Sequence, residues 1–307
     1  MTMSSPDIWS AIAHRLTSIA QNPFSTYVWT SIAGIAIVIG AEIVVLGYAR
    51  SSLKRILHPS RSTWTDIIWF SVRILGVGGL IVTVSSLGLS ALAPRIAKHF
   101  FNFQLVLRIE NPVLQFTASL VIFDFLSYWA HRGRHYFRWW WEFHKVHHSA
   151  TEMNAITTSR GHPLDSAAIG IAIAIPIAIF GTTIYDPVLV AIVFSMHAAL
   201  THSMLPWRWG WFGRYVLYSP IGHRLHHSPL PEHCDKNFGA MLPIWDQIFG
   251  TYYSGDVLND EVGVDDNYLN VRGFWLDMIE PVRLALRTVW GQRKPEAIPA
   301  GDTRQPG

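Results

Sequence analysis

The sequence predicts an all-α integral membrane protein with about four to five membrane-embedded helices under a cytosolic helical cap. Half of the 307 residues are hydrophobic and only 15% are charged, whereas a typical soluble domain has about 25% charged residues. The apolar residues are concentrated in long runs that are separated by short basic loops. The 14 tryptophans suit a membrane interface, where an apolar ring and a polar N–H group are both satisfied.

Five apolar runs follow a mixed N-terminal segment. A transmembrane helix needs about 17 or more mostly apolar residues, and the runs at 27–48, 67–93 and 113–130 meet that requirement. The runs at 167–181 and 188–200 are shorter and are separated by a turn, so they are expected to form a shallow or tilted hairpin. The sequence leaves open whether this hairpin crosses the membrane fully.

The basic residues orient these runs. Positions 50–61 hold four Lys and Arg residues, whereas the turn at 182–187 holds none. The positive-inside rule places the first of these loops in the cytosol, and the later runs then bring His131 and His202 to the same face. The loop at 94–111, with three basic residues, lies on the opposite face in this topology and fits the rule less well.

The chain divides into three segments. Residues 1–110 form an N-terminal segment with the first two spans, 111–255 carry the histidine motifs, and 256–307 form a C-terminal cytosolic segment with a disordered tail. The compact length and a C-terminus without organelle-retention lysines favour a bacterial inner membrane over the endoplasmic reticulum. A nucleic-acid partner is not expected, because the net charge is only +3 and no continuous basic stripe is present.

Three histidine motifs carry the chemistry. His131–His135 is an HxxxH motif, and His144–His148 and His223–His227 are both HxxHH motifs. On a helix, residues i, i+3 and i+4 share one face, so each motif aims two imidazoles at a common point. Eight imidazoles exceed the four ligands of a structural zinc site, so two metal ions with open positions fit better. An all-nitrogen set of ligands suits iron, copper, nickel or zinc, and of these redox-active iron gives the site a reason to lie beside a membrane.

These motifs and their neighbours resemble the fatty acid hydroxylase superfamily, which includes sterol desaturases, sterol methyl oxidases and alkylglycerol monooxygenase. The resemblance covers about residues 113–255, so that 111–255 is expected to be a fatty acid hydroxylase-like di-iron domain, while residues 1–110 match only as generic spans. The segments that carry it are DFLSYWAHR at Asp124–Arg132, WEFHKVHHS at Trp141–Ser149, GHRLHH at Gly222–His227, DKNFG at Asp235–Gly239 and IWDQIFGT at Ile244–Thr251.

The resemblance implies two iron ions reached from the cytosolic side, with O₂ as co-substrate, that hydroxylate or desaturate a C–H bond of a lipid or sterol. Electrons are expected from a separate partner such as a ferredoxin or a cytochrome b5-like protein. The chain itself shows no Rossmann glycine fingerprint, no haem-attachment CxxCH and no ferredoxin cysteine set. The ligands that the resemblance implies are His131, His135, His144, His147, His148, His202, His223, His226 and His227.

Four further residues are candidates for a ligand or for a group that orients one. His162 lies in a His-Pro element, and His197 lies five residues before His202, about 140° away around a helix. Asp124 stands inside an apolar run, where a charge is expensive and usually functional. It is expected to orient an imidazole or to pair with an arginine, and Asp235 to orient an imidazole or to cap the following turn.

A histidine-rich metal-binding or metal-transport protein of the membrane is the main alternative. It would more often place its ligands near the bilayer midplane than beside the spans. A membrane cytochrome would need well-separated histidine pairs, and the adjacent histidines of the two HxxHH motifs do not serve that geometry. A hydrolytic zinc site lacks the HExxH arrangement. The single cysteine, Cys234, excludes an internal disulfide framework and a CxxC zinc site.

Overall fold

The computed structural model describes residues 17, 26–75, 108–180, 186–255, 259–264, 269 and 274–291, with isolated positions between 78 and 100. Every regular element within these residues is helical, as the sequence predicts. The α-helices are α1 (Thr26–Leu46), α2 (Ser52–Leu57), α3 (Arg61–Ile74), α4 (Pro112–Tyr136), α5 (Arg138–His148), α6 (Pro163–Phe180), α7 (Asp186–Thr201), α8 (Gly210–Tyr215), α9 (Pro220–His226), α10 (Ile244–Ile248) and α11 (Phe274–Val289). Single 3₁₀ turns occur at Tyr48–Arg50, Thr157–Ser159 and Pro231–His233.

Two of these helices are long and apolar enough to cross a membrane, over Val28–Leu46 and Pro112–Tyr136. The apolar parts of α6 and α7 are shorter, so the number of four to five membrane-embedded helices stays a prediction. Helix α3 covers the beginning of the predicted run at 67–93, and the rest of that run lies largely outside the described residues. The predicted disordered tail also lies outside them.

Helix α4 extends beyond the apolar run that predicts it. It begins after Asn111, whose side chain accepts hydrogen bonds from the N–H groups of Val113 and Leu114 at 3.0 and 3.1 Å. The apolar run ends near residue 130, but the helix continues to Tyr136, so the HxxxH motif occupies its last two turns. The motif therefore lies on a rigid helix end and not in a loop that flanks a span.

Helix α5 lies between α4 and the C-terminal helix α11 and packs against both. The sequence does not predict α11, which lies in the predicted C-terminal cytosolic segment at 256–307. Its buried side presents Pro281, Leu284 and Ala285, while Trp275 and Trp290 are 76% and 75% exposed. The packing of α11 covers one side of the helix that carries the first HxxHH motif.

The N-terminal helices pack against the histidine-bearing part of the chain. Ile35 and Val38 of α1 form a core cluster with Ala155 and Ile156, which lie in the loop after α5, and with Ala199 of α7. Residues from outside the predicted 111–255 domain therefore pack against the loop that follows the first HxxHH motif and against α7.

Candidate metal centre

Nine histidines converge on two adjoining points of the described structure, and they are the nine ligands that the family resemblance implies. Within each group the candidate ligand atoms all lie within 4.8 Å of one another. Group A has five members and group B has four. Group A is His131, His135, His144, His148 and His226, and group B is His147, His202, His223 and His227.

The two HxxHH motifs contribute to both groups. In each motif the first and last histidines serve one group and the middle histidine serves the other, so His147 and its neighbour His148 point to different groups. Successive helical residues are rotated by about 100°, which turns adjacent imidazoles away from each other. Because both motifs contribute to both groups, α5 and α9 lie on opposite sides of them. The rings of His148 and His227 are stacked, with their centroids 4.3 Å apart.

The tautomers of group B leave bare nitrogens that face each other. His147 Nδ1 donates to the Arg160 carbonyl at 3.1 Å and His202 Nδ1 donates to the Ala198 carbonyl at 2.7 Å. Both Nε2 atoms then carry lone pairs, yet they lie only 3.3 Å apart. Burial is the main reason why the pKa of His147 is well below its usual range and that of His202 is lowered to about 4, so neither ring is protonated at neutral pH. Two facing lone pairs repel each other unless a cation lies between them.

The spacing in both groups fits a shared ion. Two nitrogens that bind one ion at about 2.0–2.1 Å lie about 2.9–3.4 Å apart at octahedral or tetrahedral angles. His223 Nε2 lies 3.2 Å from the Nε2 atoms of both His202 and His227. In group A the Nε2 atoms of His144 and His148 are also 3.2 Å apart. The donor set therefore fits two metal ions bound by neutral imidazoles.

Group A is oriented by carbonyls and carboxylates. His131 Nδ1 lies 2.8 Å from the Phe238 carbonyl, and His226 Nδ1 lies 2.7 Å from the Lys236 carbonyl. With the Nδ1 protons donated to these carbonyls, the Nε2 atoms of both rings are buried without a hydrogen-bond partner, as is Nε2 of His135. Buried polar atoms are normally paired, so these orphan nitrogens point to a ligand in the group.

Asp165 contacts group A and is not predicted from the sequence. Its Oδ2 atom lies 3.2 Å from His144 Nδ1 and 3.4 Å from Arg134 Nη1, and its Oδ1 atom accepts from Trp140 Nε1 at 2.9 Å. Arg134 Nη1 also lies 3.0 Å from His144 Nδ1, so this nitrogen meets both a guanidinium donor and a carboxylate acceptor. Where Nδ1 donates to the carboxylate, Nε2 is left free for a metal. The only sequence signal is an acidic residue in the first turn of α6, and many helices carry one there.

His162 and His197 lie outside both groups. His162 uses both nitrogens in hydrogen bonds, because Nδ1 accepts the N–H of Leu164 at 3.1 Å and Nε2 donates to the Met278 carbonyl at 2.9 Å. His197 Nε2 donates to the Tyr218 carbonyl at 2.9 Å. Neither is placed to bind an ion held by group A or B, and His162 instead attaches α11 to the segment before α6.

The two predicted acidic residues have different outcomes. Asp124 accepts from the N–H groups of Met241 and Leu242 at 2.9 and 3.1 Å and from Trp245 Nε1 at 2.8 Å. Among the described residues, no hydrogen bond or ion pair joins it to an imidazole or an arginine. Asp235 Oδ1 lies 3.5 Å from His135 Nδ1, and this hydrogen bond is the main cause of the lowered pKa of Asp235. The orienting role predicted for Asp235 is consistent with this contact.

Asp246 connects the closing segment of the chain to group A. Its Oδ1 accepts from the N–H of Phe238 at 2.8 Å, and its Oδ2 accepts from the N–H of Gly239 and the Tyr218 hydroxyl, both at 2.7 Å. A Cβ at Gly239 would lie 2.5 Å from the Tyr218 ring, so only glycine fits there. These contacts fix the Phe238 carbonyl that His131 meets.

We expect the metal-free chain to lose stability as the pH falls below about 6.5. Burial lowers the pKa of the group B histidines, so the unfolded chain binds protons near pH 6.5 while the folded chain does not. Unfolding then takes up protons, and its free energy decreases until the pH reaches the folded-state pKa values. His202, with a pKa of about 4, accounts for up to about 3 kcal/mol of this loss. Thermal unfolding of chelator-treated protein from about pH 8 to about pH 5 measures the effect, and a pH-independent midpoint would contradict it.

Comparison with known proteins places the histidine motifs in one family. Residues 116–251 match the fatty acid hydroxylase family. The chain is 29% identical over 189 residues to an ornithine lipid hydroxylase from Rhizobium tropici, an alignment that covers 60% of this chain and 55% of that protein. It is 34% identical over 134 residues to an alkylglycerol monooxygenase from Caenorhabditis elegans, which covers 42% of this chain and 25% of that protein.

A third kind of relative is a putative methylsterol monooxygenase from Dictyostelium discoideum, 28% identical over 177 residues, covering 56% of this chain and 60% of that protein. The chain thus spans about half of the ornithine lipid hydroxylase and about a quarter of the alkylglycerol monooxygenase. No solved structure matches.

Proposed function

Because this chain belongs to the fatty acid hydroxylase superfamily, we propose that it is a membrane-bound, O₂-dependent di-iron oxygenase that hydroxylates a C–H bond of a lipid or sterol. The observation that carries the proposal is the pair of adjoining histidine groups, A and B, with their bare and closely spaced Nε2 atoms. The three kinds of relatives are named as hydroxylases or monooxygenases, which favours oxygen insertion over desaturation.

In this proposal each group holds one iron ion. When bound, the two ions supply the activation of O₂ and the oxidation of the C–H bond. The chain holds the imidazoles neutral, aims their Nε2 atoms inward and excludes water, because all the group members are buried or half-buried. The balanced reaction converts R–H, O₂, two electrons and two protons into R–OH and water.

The proposed substrate reaches the groups from the bilayer. Group A includes two histidines on the last turns of α4, whose preceding turns form one of the two candidate membrane spans. Apolar side chains such as Val113 and Leu114 are 70% and 60% exposed near the other end of this helix, as expected for a lipid-facing surface. A lipid chain lying along α4 would end beside the histidines. We place this end of α4 at the cytosolic face of a bacterial inner membrane, following the distribution of basic residues.

Electrons are proposed to come from a separate protein. Each turnover needs two of them, and the sequence has no motif for a flavin, haem or iron–sulfur cofactor. A ferredoxin or a cytochrome b5-like protein with its reductase is the class of donor that suits this chemistry.

Lipid mass spectrometry tests the proposal. Total lipids are compared between cells that express the unmodified chain and cells that express His226→Ala/His227→Ala, which removes one histidine from each group. We expect a lipid that gains one oxygen atom, derived from isotopically labelled O₂, only with the unmodified chain. The variant His58→Ala, which removes an exposed histidine outside both groups, should give the same product as the unmodified chain.

Purified chain with a defined reductase and lipid extract completes the test. Absence of oxygenated product there, together with purified protein that contains no iron, would contradict the proposal. Iron or another metal that crosses proteoliposome membranes with the same histidine dependence would instead support metal transport. A product that has lost two hydrogen atoms relative to its parent lipid and has gained no oxygen would identify desaturation.

A further inference from the structure

A buried carboxylate from α1 holds the turn that begins at His202. Glu42 is fully buried. Its Oε1 atom accepts from the N–H of Met204 at 2.9 Å, and its Oε2 atom accepts from the N–H of Ser52 at 2.7 Å. Met204 lies two residues after His202, so the position of this group B histidine depends on a helix near the beginning of the chain.

The opposite side of the same turn is held by α9. Arg224 Nη2 donates to the carbonyls of Ser203 and Leu205, each at 3.2 Å. Arg224 is adjacent in sequence to His223, which is also a group B histidine. The turn is therefore fixed between Glu42 on one side and α9 on the other, and α9 carries His223 and is followed directly by His227.

A second buried carboxylate, from α3, stands behind His147. Asp66 Oδ1 accepts from Arg160 Nε at 2.7 Å, and Asp66 Oδ2 accepts from Asn154 Nδ2 and Thr157 Oγ1 at 2.8 and 2.9 Å. The carbonyl of Arg160 in turn accepts from His147 Nδ1 at 3.1 Å. Asp66 thus fixes the residue whose backbone selects the metal-binding tautomer of His147.

Group A is held differently. The carboxylates nearest to its imidazoles are Asp165 and Asp235, and the carbonyls of Lys236 and Phe238 accept two of its Nδ1 protons. All four residues lie within the 116–251 stretch that matches the family, whereas Glu42 and Asp66 lie outside it. The N-terminal helices therefore supply orienting carboxylates to group B, and the family stretch supplies them to group A.

We propose that Glu42 and Asp66 are positioning residues that set the metal affinity of group B in preference to that of group A. The inference rests on the proposed function, since it assumes that both groups bind a metal ion. Hydrogen bonds to ligating imidazoles orient the ring and raise its basicity, and loss of such outer contacts typically costs about 10–100-fold in metal affinity. Glu42 and Asp66 act indirectly. Glu42 holds the backbone that follows His202, and Asp66 holds Arg160, whose carbonyl accepts from His147.

Anaerobic Fe²⁺ titration of the metal-free full chain in lipid nanodiscs tests the inference. We expect the unmodified chain to bind two ions, and Glu42→Gln and Asp66→Asn each to weaken one ion about 10-fold or more while the other keeps its affinity. The two substitutions lie in different helices, so either one alone tests the inference if the other variant does not fold. Both replace a carboxylate by an amide group of nearly the same size. Asp66→Asn also removes the counter-charge of the buried Arg160, so the folded fraction of this variant is measured beside its Fe²⁺ affinity.

A His223→Ala background assigns the weakened ion to a group. This background disables group B and leaves the ion of group A to be measured alone. There, Glu42→Gln and Asp66→Asn should not change the remaining affinity, whereas Asp165→Asn, which acts on His144 of group A, should lower it about 10-fold or more.

Glu152→Gln is the matched structural control. Glu152 also links the N-terminal helices to the loop after α5, because it accepts from the hydroxyls of Ser60 and Thr63 and pairs with Arg55. Within the described part of the chain, no hydrogen bond or ion pair joins it to a residue that holds a group B imidazole. It should leave both affinities unchanged. Equal loss at both ions in Glu42→Gln and Asp66→Asn, an equal effect of Glu152→Gln, or no loss at all would overturn the inference. An unmodified chain that binds no Fe²⁺ would instead overturn the proposed function.

Discussion

The variant His223→Ala is expected to bind about one iron ion, against the two proposed for the unmodified chain, and to oxygenate lipid about a thousand-fold more slowly. Group B has only four imidazoles, one fewer than group A. His223 Nε2 is 3.2 Å from the Nε2 atoms of both His202 and His227, so it is central to the group. Loss of several kcal/mol of metal-supplied stabilisation of the reaction corresponds to about this decrease in rate.

Metal analysis of the purified variant measures the first effect, and product formation from labelled O₂ measures the second. His162→Gln provides the contrast, because His162 is also a buried histidine but lies outside both groups with both nitrogens in hydrogen bonds. This variant should retain two ions. If His223→Ala kept both ions with unchanged affinity, group B as defined by the structure would not be a metal site.

The sequence identifies all nine members of the two groups but not how they divide. Helical periodicity predicts that His144 and His148, or His223 and His227, point the same way, and the structure places each of these pairs in one group. The middle histidine of each motif lies about 100° from the last one, so it faces a different neighbour. Which neighbour that is depends on how α5 and α9 are placed relative to each other, and no local pattern encodes this placement.

Most of the residues that orient the imidazoles cannot be predicted from the sequence. Asp235 lies in the DKNFG segment that carries the family resemblance, and it is a predicted candidate there. Asp165 and Arg160 also lie close in sequence to the first HxxHH motif. An acidic residue at the start of a helix and an arginine in a loop are both common for structural reasons alone, so neither residue stands out in the sequence. Glu42 and Asp66 reach group B across 160 and 81 residues of chain, respectively, counted to His202 and His147. Such contacts are set by tertiary packing alone.

The pair formed by Asp66 and Arg160 is expected to be the most destabilising one to break. Both side chains are completely buried, with Arg160 Nε 2.7 Å from Asp66 Oδ1. Arg160 Nη1 and Nη2 also donate to the hydroxyls of Ser149 and Ser62 at 3.1 and 2.9 Å. Replacing Arg160 with methionine leaves the Asp66 carboxylate buried without its counter-charge, and such a loss costs about 3–5 kcal/mol. Denaturant unfolding of the purified, metal-free chain, followed by tryptophan fluorescence, measures this change.

The loss in the free energy of unfolding should depend on whether a buried charge is left unpaired, and not only on which side chain is removed. In Asp66→Asn/Arg160→Met no buried charge is left unpaired, so the double variant should be more stable than Arg160→Met alone. The coupling free energy from the unmodified chain, the two single variants and the double variant isolates the ion pair from the loss of arginine packing. If Arg160→Met cost less than about 1 kcal/mol, water or another cation would have to compensate Asp66, and the segment that holds His147 would not depend on this pair.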